Sequence, residues 1–233
     1  VSIGQLYLSR CTNITVKNIT ISNASIGIEI INSNECIITK SNIHSNFDAG
    51  IMFIEKCKNN TISYNNIRNN SYGIVIKSVH YTFFEYNSII DNILLFNDKG
   101  IYLLGLKTTI KNNSIMNNNN GIEIRGSKNV LTNNQIAKCN IIGLSLFDAS
   151  SCLIHSNNFI DNQKHAGFKI FSRKGNHFQN NYWDNSVIIG PKIIPGMRHI
   201  QFFVDYWGNP LYLSIPWIQF DWHPAQEPYN ITF

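Results

Sequence analysis

Two acidic pairs stand at matched places in this chain. Asp48 and Asp98 each lie three residues before an aliphatic residue that follows a glycine (Ile51, Ile101), while Glu29 and Glu123 each follow such a residue directly. Two carboxyl groups cleave a glycosidic bond only at about 5 Å (retaining) or about 6.5–9.5 Å (inverting). Proton abstraction beside a sugar carboxylate needs a base next to a cation; Lys77, Tyr102 and Arg125 lie on neighbouring coils, with no compelling geometry for it. Tyr102, Glu123, Arg125 and Phe147 mix rings, an acid and a cation, the groups that contact sugars. The seven histidines (His44, His80, His155, His165, His177, His199 and His223) share no common spacing, and no CxxC occurs, so no metal site is expected.

What positions these residues is a repeat. Glycine followed by alternating aliphatic residues recurs at Gly27, Gly50, Gly73, Gly100, Gly121, Gly143 and Gly167, at intervals of 23, 23, 27, 21, 22 and 24. A near-constant period of this size marks stacked copies of one unit, and period-two alternation marks strands. The first strand gives an inner column Leu6, Ile28, Ile51, Ile74, Ile101, Ile122, Leu144 and Phe168, and a second inner column ending Leu146, Ile170. A second strand carries Val16, Ile38, Ile62, Phe84, Ile110, Leu131 and Ile154. A third carries Ile21, Ile43, Ile67, Ile89, Ile115, Ile136, Phe159 and Tyr182. Three short strands and three turns per coil predict an all-β, single-stranded, right-handed parallel β-helix of about eight coils.

Stacking at roughly 4.8 Å per coil sets the distances between candidates. Glu29 and Glu123, four coils apart at roughly 19 Å, cannot act as a pair. Asp48 and Asp98, two coils apart at roughly 10 Å, are the catalytic candidates. Outward positions on the first strand carry the candidate carbohydrate-binding residues Tyr102, Glu123, Arg125 and Phe147, with Lys169 and Phe171 nearby; the same mix equally fits a face covered by a partner or by the insertion loop.

Asparagine supplies 35 of the 233 residues. It suits tight turns because it tolerates left-handed backbone and bonds local amides. Asn65, Asn87, Asn113, Asn134, Asn157 and Asn180 precede the third-strand column; Asn46, Asn70, Asn92, Asn118, Asn162 and Asn185 follow it by three. They are read as stacked turn residues rather than sugar ligands. A small inward column comprises Cys11, Ser33, Cys57, Val79, Gly105, Gly126 and Ala149. The long interval between Gly73 and Gly100 is assigned to a loop at Leu94-Leu95-Phe96 that folds back on the coil.

Five cysteines, with Cys11 and Cys57 two coils apart, read as buried free thiols. Only 14% of residues are charged, and the net charge of +5 is scattered, which argues against nucleic acid as partner. No apolar run reaches membrane-spanning length. The chain opens inside the repeat, so further coils and an export signal are expected upstream. Sequons at Asn13, Asn18, Asn23, Asn59, Asn69, Asn112 and Asn230 fit export. All six prolines and all four tryptophans lie beyond Asn180. Residues 1–183 are therefore taken as coils and 184–233 as an aromatic, proline-rich cap, with a hairpin about Trp207-Gly208-Asn209-Pro210.

The coils followed by Asn180-Asn181-Tyr182-Trp183-Asp184 resemble the NosD-like, carbohydrate-binding and sugar-hydrolase class of β-helix proteins. Ile215-Pro216-Trp217 through Asp221-Trp222-His223-Pro224 is similar to the tails of archaeal surface members. The resemblance implies export or surface display. It also implies a choice among an adhesive or glycan-binding module, a polysaccharide lyase, hydrolase or epimerase, and copper handling. The residues favour the module, with polysaccharide or a surface protein as partner, no cofactor and no catalytic centre.

Overall fold

The computed structural model describes residues 2–77, 85–171, 174–186, 190–204 and 210–232. Every regular element among them is a strand, and together they form a right-handed parallel β-solenoid with a repeat near 23 residues. One coil runs through Ala49–Ile54, Thr61–Ser63 and Asn66–Arg68. Each strand pairs in parallel with its copies in neighbouring coils. Ile28, Ile51, Ile74, Ile101, Ile122 and Leu144 stand in register in one fully buried column.

Corners are set by single residues in the left-handed region. In this coil they are Asn59, Tyr64 and Asn69, with φ of 56, 55 and 56°. The residue after each corner turns inward and is most often asparagine. The Asn65 backbone N–H and side-chain amide both donate to Asn92 Oδ1 at 3.0 Å. The same links join Asn92, Asn113, Asn134, Asn157 and Asn181. Two other corners carry Asn60–Asn87 and Asn46–Asn70–Asn97–Asn118. All of these are buried. Each oxygen supplies the acceptor that a turn's buried N–H would otherwise lack, so the asparagines are structural.

The glycine slot has a steric cause. A Cβ on Gly27, Gly50, Gly73, Gly100 or Gly121 would lie 2.5–2.8 Å from the carbonyl oxygen of the next coil's glycine. Where no further regular coil lies above, the need ends. Gly143 stacks under His165, not under Gly167. The last coil is therefore shifted by two residues from the sequence reading. Leu144 pairs with Ala166 and Leu146 with Phe168, and Phe147 pairs with Lys169 rather than Phe171, while the Phe147 and Phe171 rings still meet at 6.3 Å.

The long interval also differs. Ile89 occupies the second-strand column between Ile62 and Ile110, and Leu94 the third-strand column between Ile67 and Ile115. Leu94 and Leu95 belong to strand Ile93–Leu95, not to a loop. The extra residues precede Glu85, and Val79, His80 and Phe84 lie outside the described residues. The ladders move accordingly. Asn87 joins Asn60, Asn92 joins Asn65, Asn97 follows Asn70, and Asn181 replaces Asn180; Asn185 belongs to none. Trp183, not Tyr182, stacks over Phe159, at 4.2 Å between ring centroids.

Lys192–Val204 and Pro210–Asp221 pair antiparallel beyond the last coil. The expected turn at Trp207–Asn209 lies outside the described residues. The first of these strands pairs with the first-strand ladder (Phe168↔Gly196), and the second meets the second-strand ladder at Phe178↔Asp221. Two inward polar residues end the asparagine ladders. Gln219 Oε1 accepts from the Asn176 N–H at 3.3 Å. Asp221 Oδ2 accepts from the Asn181 N–H, the Asn181 amide and Trp183 Nε1 at 2.9–3.1 Å. The five cysteines are free.

Candidate functional site

A first strand packed between two others buries one face and turns the other to solvent. Its outer face divides along the solenoid. Its first coils carry Tyr7 and Glu29; the next coils are apolar, with Ala49, Met52 and Val75 buried among Ile26, Ile54, Tyr72 and Tyr102. In the upper coils it is charged and aromatic.

Glu123 lies between two cations on this upper part. Its carboxylate meets Lys99 Nζ at 2.7 Å and Arg125 at 3.0 Å, and its side chain is 12% exposed. Lys99 also lies over Tyr72 and Tyr102, and those rings meet edge to face at 6.1 Å. The Arg125 guanidinium lies 4.4 Å from the Phe147 ring centroid and 5.8 Å from that of Tyr102. Lys169 Nζ lies over Phe147 and Phe171, at 5.2 and 5.9 Å. Phe171 stacks on His199 at 4.5 Å and meets Tyr212 edge-on at 5.3 Å. Rings and cations thus alternate from Tyr72 to Phe171, and Phe171 continues the row to Tyr212 ring to ring.

All four outward candidates from the sequence (Tyr102, Glu123, Arg125 and Phe147) are brought together here. Sequence reasoning assigned Lys99 no role. It precedes its glycine, in a position that periodicity alone leaves ambiguous, yet Tyr72, Lys99 and Asn120 form an outward column of their own. Opposite charge holds Lys99 protonated: its pKa is raised, although burial acts the other way, because Glu123 accepts its hydrogen bond.

The aspartates are not brought together. Asp48 and Asp98 are two coils apart with Ser71 between them. Asp98 Oδ1 accepts from the Asn119 amide at 2.8 Å, in a side-chain row that continues to Asn140. Lys77, Tyr102 and Arg125 occupy successive coils in two different columns.

Sequence reasoning missed the junction between coils and end strands. A cavity of about 290 Å³ opens there, lined by Gln163, Lys164, His165, Trp183 and Lys192 among others. His165 Nε2 lies 2.7 Å from Asp184 Oδ1, and the Asn162 amide faces Nδ1 at 3.3 Å. The amide donates to Nδ1, so Nε2–H donates to Asp184, and the neutral ring keeps no free nitrogen to act as a base. Burial pushes the His165 and Lys192 pKa values down. The motif Asn181-Tyr182-Trp183-Asp184 was the available signal; its residues join the last coil to the end strands.

Among the described residues the His, Cys, Asp and Glu donors do not fit copper. No three of His, Cys, Asp and Glu gather among the described residues. The buried thiols face backbone carbonyls, and burial raises Cys57 to about 11 and Cys139 to about 12, whereas a thiolate is the metal ligand. No helix among the described residues is long and apolar enough to cross a membrane.

No curated protein matches this sequence. Among solved structures it is similar to the periplasmic alginate epimerase AlgG, at 15% identity and a TM-score of 0.61 over 66% of this chain and 38% of that one. It is also similar to an alginate lyase from Paenibacillus sp. str. FPU-7, at 14% identity and a TM-score of 0.52 over 74% of this chain and 71% of that one. The chain thus spans less than half the length of the epimerase, and at these identities the likeness is one of fold. The family model described as "Periplasmic copper-binding protein (NosD)" matches residues 2–209, and the chain belongs to that family.

Proposed function

We propose that this chain is an extracellular or periplasmic β-helix module that holds a polysaccharide along the outer face of its upper first strands. In this reading residues 1–183 form the scaffold and 184–233 its cap, and the archaeal surface proteins that the tail resembles are its functional kin. One observation carries the proposal: the row of rings and cations from Tyr72 to Phe171, continued ring to ring to Tyr212. Rings offer apolar faces and edges to sugar C–H groups, and cations offer donors to hydroxyl and acid oxygens. A straight solenoid presents this row as a shallow track, suited to a polymer more than to a small molecule.

Turnover is the less supported reading. Glu123 is neutralised by two cations, Asp98 is held by an amide, and His165 has both nitrogens engaged. The likeness to the alginate enzymes is one of fold.

Binding to a panel of immobilised polysaccharides tests the proposal. A Phe147→Ala/Phe171→Ala double variant should lose at least tenfold in affinity for the polymer that the parent retains. Failure of the parent to bind any polymer, or undiminished binding by the variant, would overturn the reading.

A further inference from the structure

Resting on the polysaccharide reading, we infer that the polymer is acidic, and that Arg125, Lys164 and Lys169 receive the carboxylates of a polyuronate.

The argument begins with the charge left over on the face. Glu123 is the acid in the row. Of the cations Lys99, Arg125, Lys164 and Lys169, the first two share Glu123 and the two lysines 164 and 169 meet no carboxylate within 4 Å among the described residues.

Lys164 reaches the face through a glycine. A Cβ on Gly167 would lie 2.7 Å from Lys164 Nζ and 2.9 Å from its Cε. The lysine stem therefore lies flat over the backbone at Gly167, which pairs with Ser145, the residue stacked on Glu123. Gly167 is outside the steric column that ends at Gly143. The backbone is left bare there and a cation lies on it.

The spacing matches an acidic polymer. The outward column through Leu104 and Arg125 continues to Phe147 and Lys169. Arg125 and Lys169 are thus two coils apart, roughly 10 Å along the axis. In a twofold, diequatorially linked polyuronate a sugar unit advances about as far as one coil, and alternate units present their carboxylates on the same side. Every second carboxylate then meets a cation, and the unit between lies against Phe147, whose ring separates the two. Stacked rings under the cations keep both side chains extended along the face.

The test uses the whole chain with two polyuronates, polygalacturonate and alginate, each beside its carboxyl-reduced, neutral counterpart. The inference predicts at least tenfold weaker binding of the reduced forms and a steep loss of acidic-polymer binding with added salt. It also predicts at least a tenfold loss in a Lys164→Gln/Lys169→Gln double variant, which leaves the Arg125–Glu123 pair intact. Unchanged thermal unfolding of that variant separates lost recognition from lost folding. Equal binding of acidic and reduced forms would overturn the acidic inference while leaving the polysaccharide reading standing. Binding of neither form would overturn the acidic inference and leave the polysaccharide reading to the wider panel, and full affinity in the double variant would overturn the role of the two lysines.

Discussion

The inward corners and the outward face of the same coils obey different rules. At a corner every polar group has its partner on the coil above or below. Asn113 accepts from the Asn92 N–H and amide, and donates to Ile89 O, Lys111 O and Asn134 Oδ1 at 2.9–3.0 Å. On the upper face the side chains meet one another instead, and no backbone group depends on them for its hydrogen bond. Arg125 and Phe147 are interchangeable with other residues as far as the coil is concerned; in lower coils their column holds Ile31 and Ile54. The corners hold the fold, which leaves the face free to take on chemistry.

This contrast can be broken most forcefully at the junction. Trp183→Ala removes a 2%-exposed ring stacked on Phe159 and leaves Asp221 without one of its donors. Such truncations cost about 3–5 kcal/mol, so urea denaturation should show a large loss of stability. Asn113→Ala is next. It strands the Asn92 N–H and takes a donor from the Ile89 carbonyl and from Asn134 Oδ1 inside the turn, and unsatisfied buried groups cost about 1–3 kcal/mol each. A loss near 3 kcal/mol is expected in the same assay. A loss under about 1 kcal/mol would mean that the ladder is ornamental.

A smaller effect comes from His165. Its folded pKa lies below the unfolded imidazole's 6.5, mainly through burial. The unfolded chain therefore binds the proton first as pH falls. The stability this ring contributes is complete above about pH 6.5 and is lost as pH drops below that value toward the folded pKa. Denaturation midpoints should fall between pH 7 and 5, and His165→Gln should flatten that slope; an equal slope in the variant would remove His165 as its cause. Phe147→Ala should move stability least, within about 0.5 kcal/mol, while still weakening polymer binding. A large stability loss there would erase the distinction between corner and face.

Most of the solenoid was legible because burial repeats. Ile28, Ile51, Ile74, Ile101 and Ile122 meet the same wall in every coil, so one pattern recurs. The reading slipped where the wall changed. At Gly167 no regular coil lies above, the slot no longer demands glycine, and His165 fills it. At Ile89 and Leu94 two apolar columns five residues apart allowed the chain to be threaded one corner early. The ring-and-cation row was legible in its members, since Tyr102, Glu123, Arg125 and Phe147 all alternate outward. Its continuity was not, because Lys99 lies before the glycine and Lys164 reaches the face from a turn. Neither obeys the alternation that revealed the rest.

The most direct measurement pairs two readouts on two variants: denaturation midpoint and polyuronate affinity, for Asn113→Ala and for Lys164→Gln/Lys169→Gln. The corner variant should lose stability and, at temperatures where it is folded, keep its affinity. The face variant should keep its midpoint and lose at least tenfold in affinity. Loss of both properties in both variants would contradict the division of labour between corner and face.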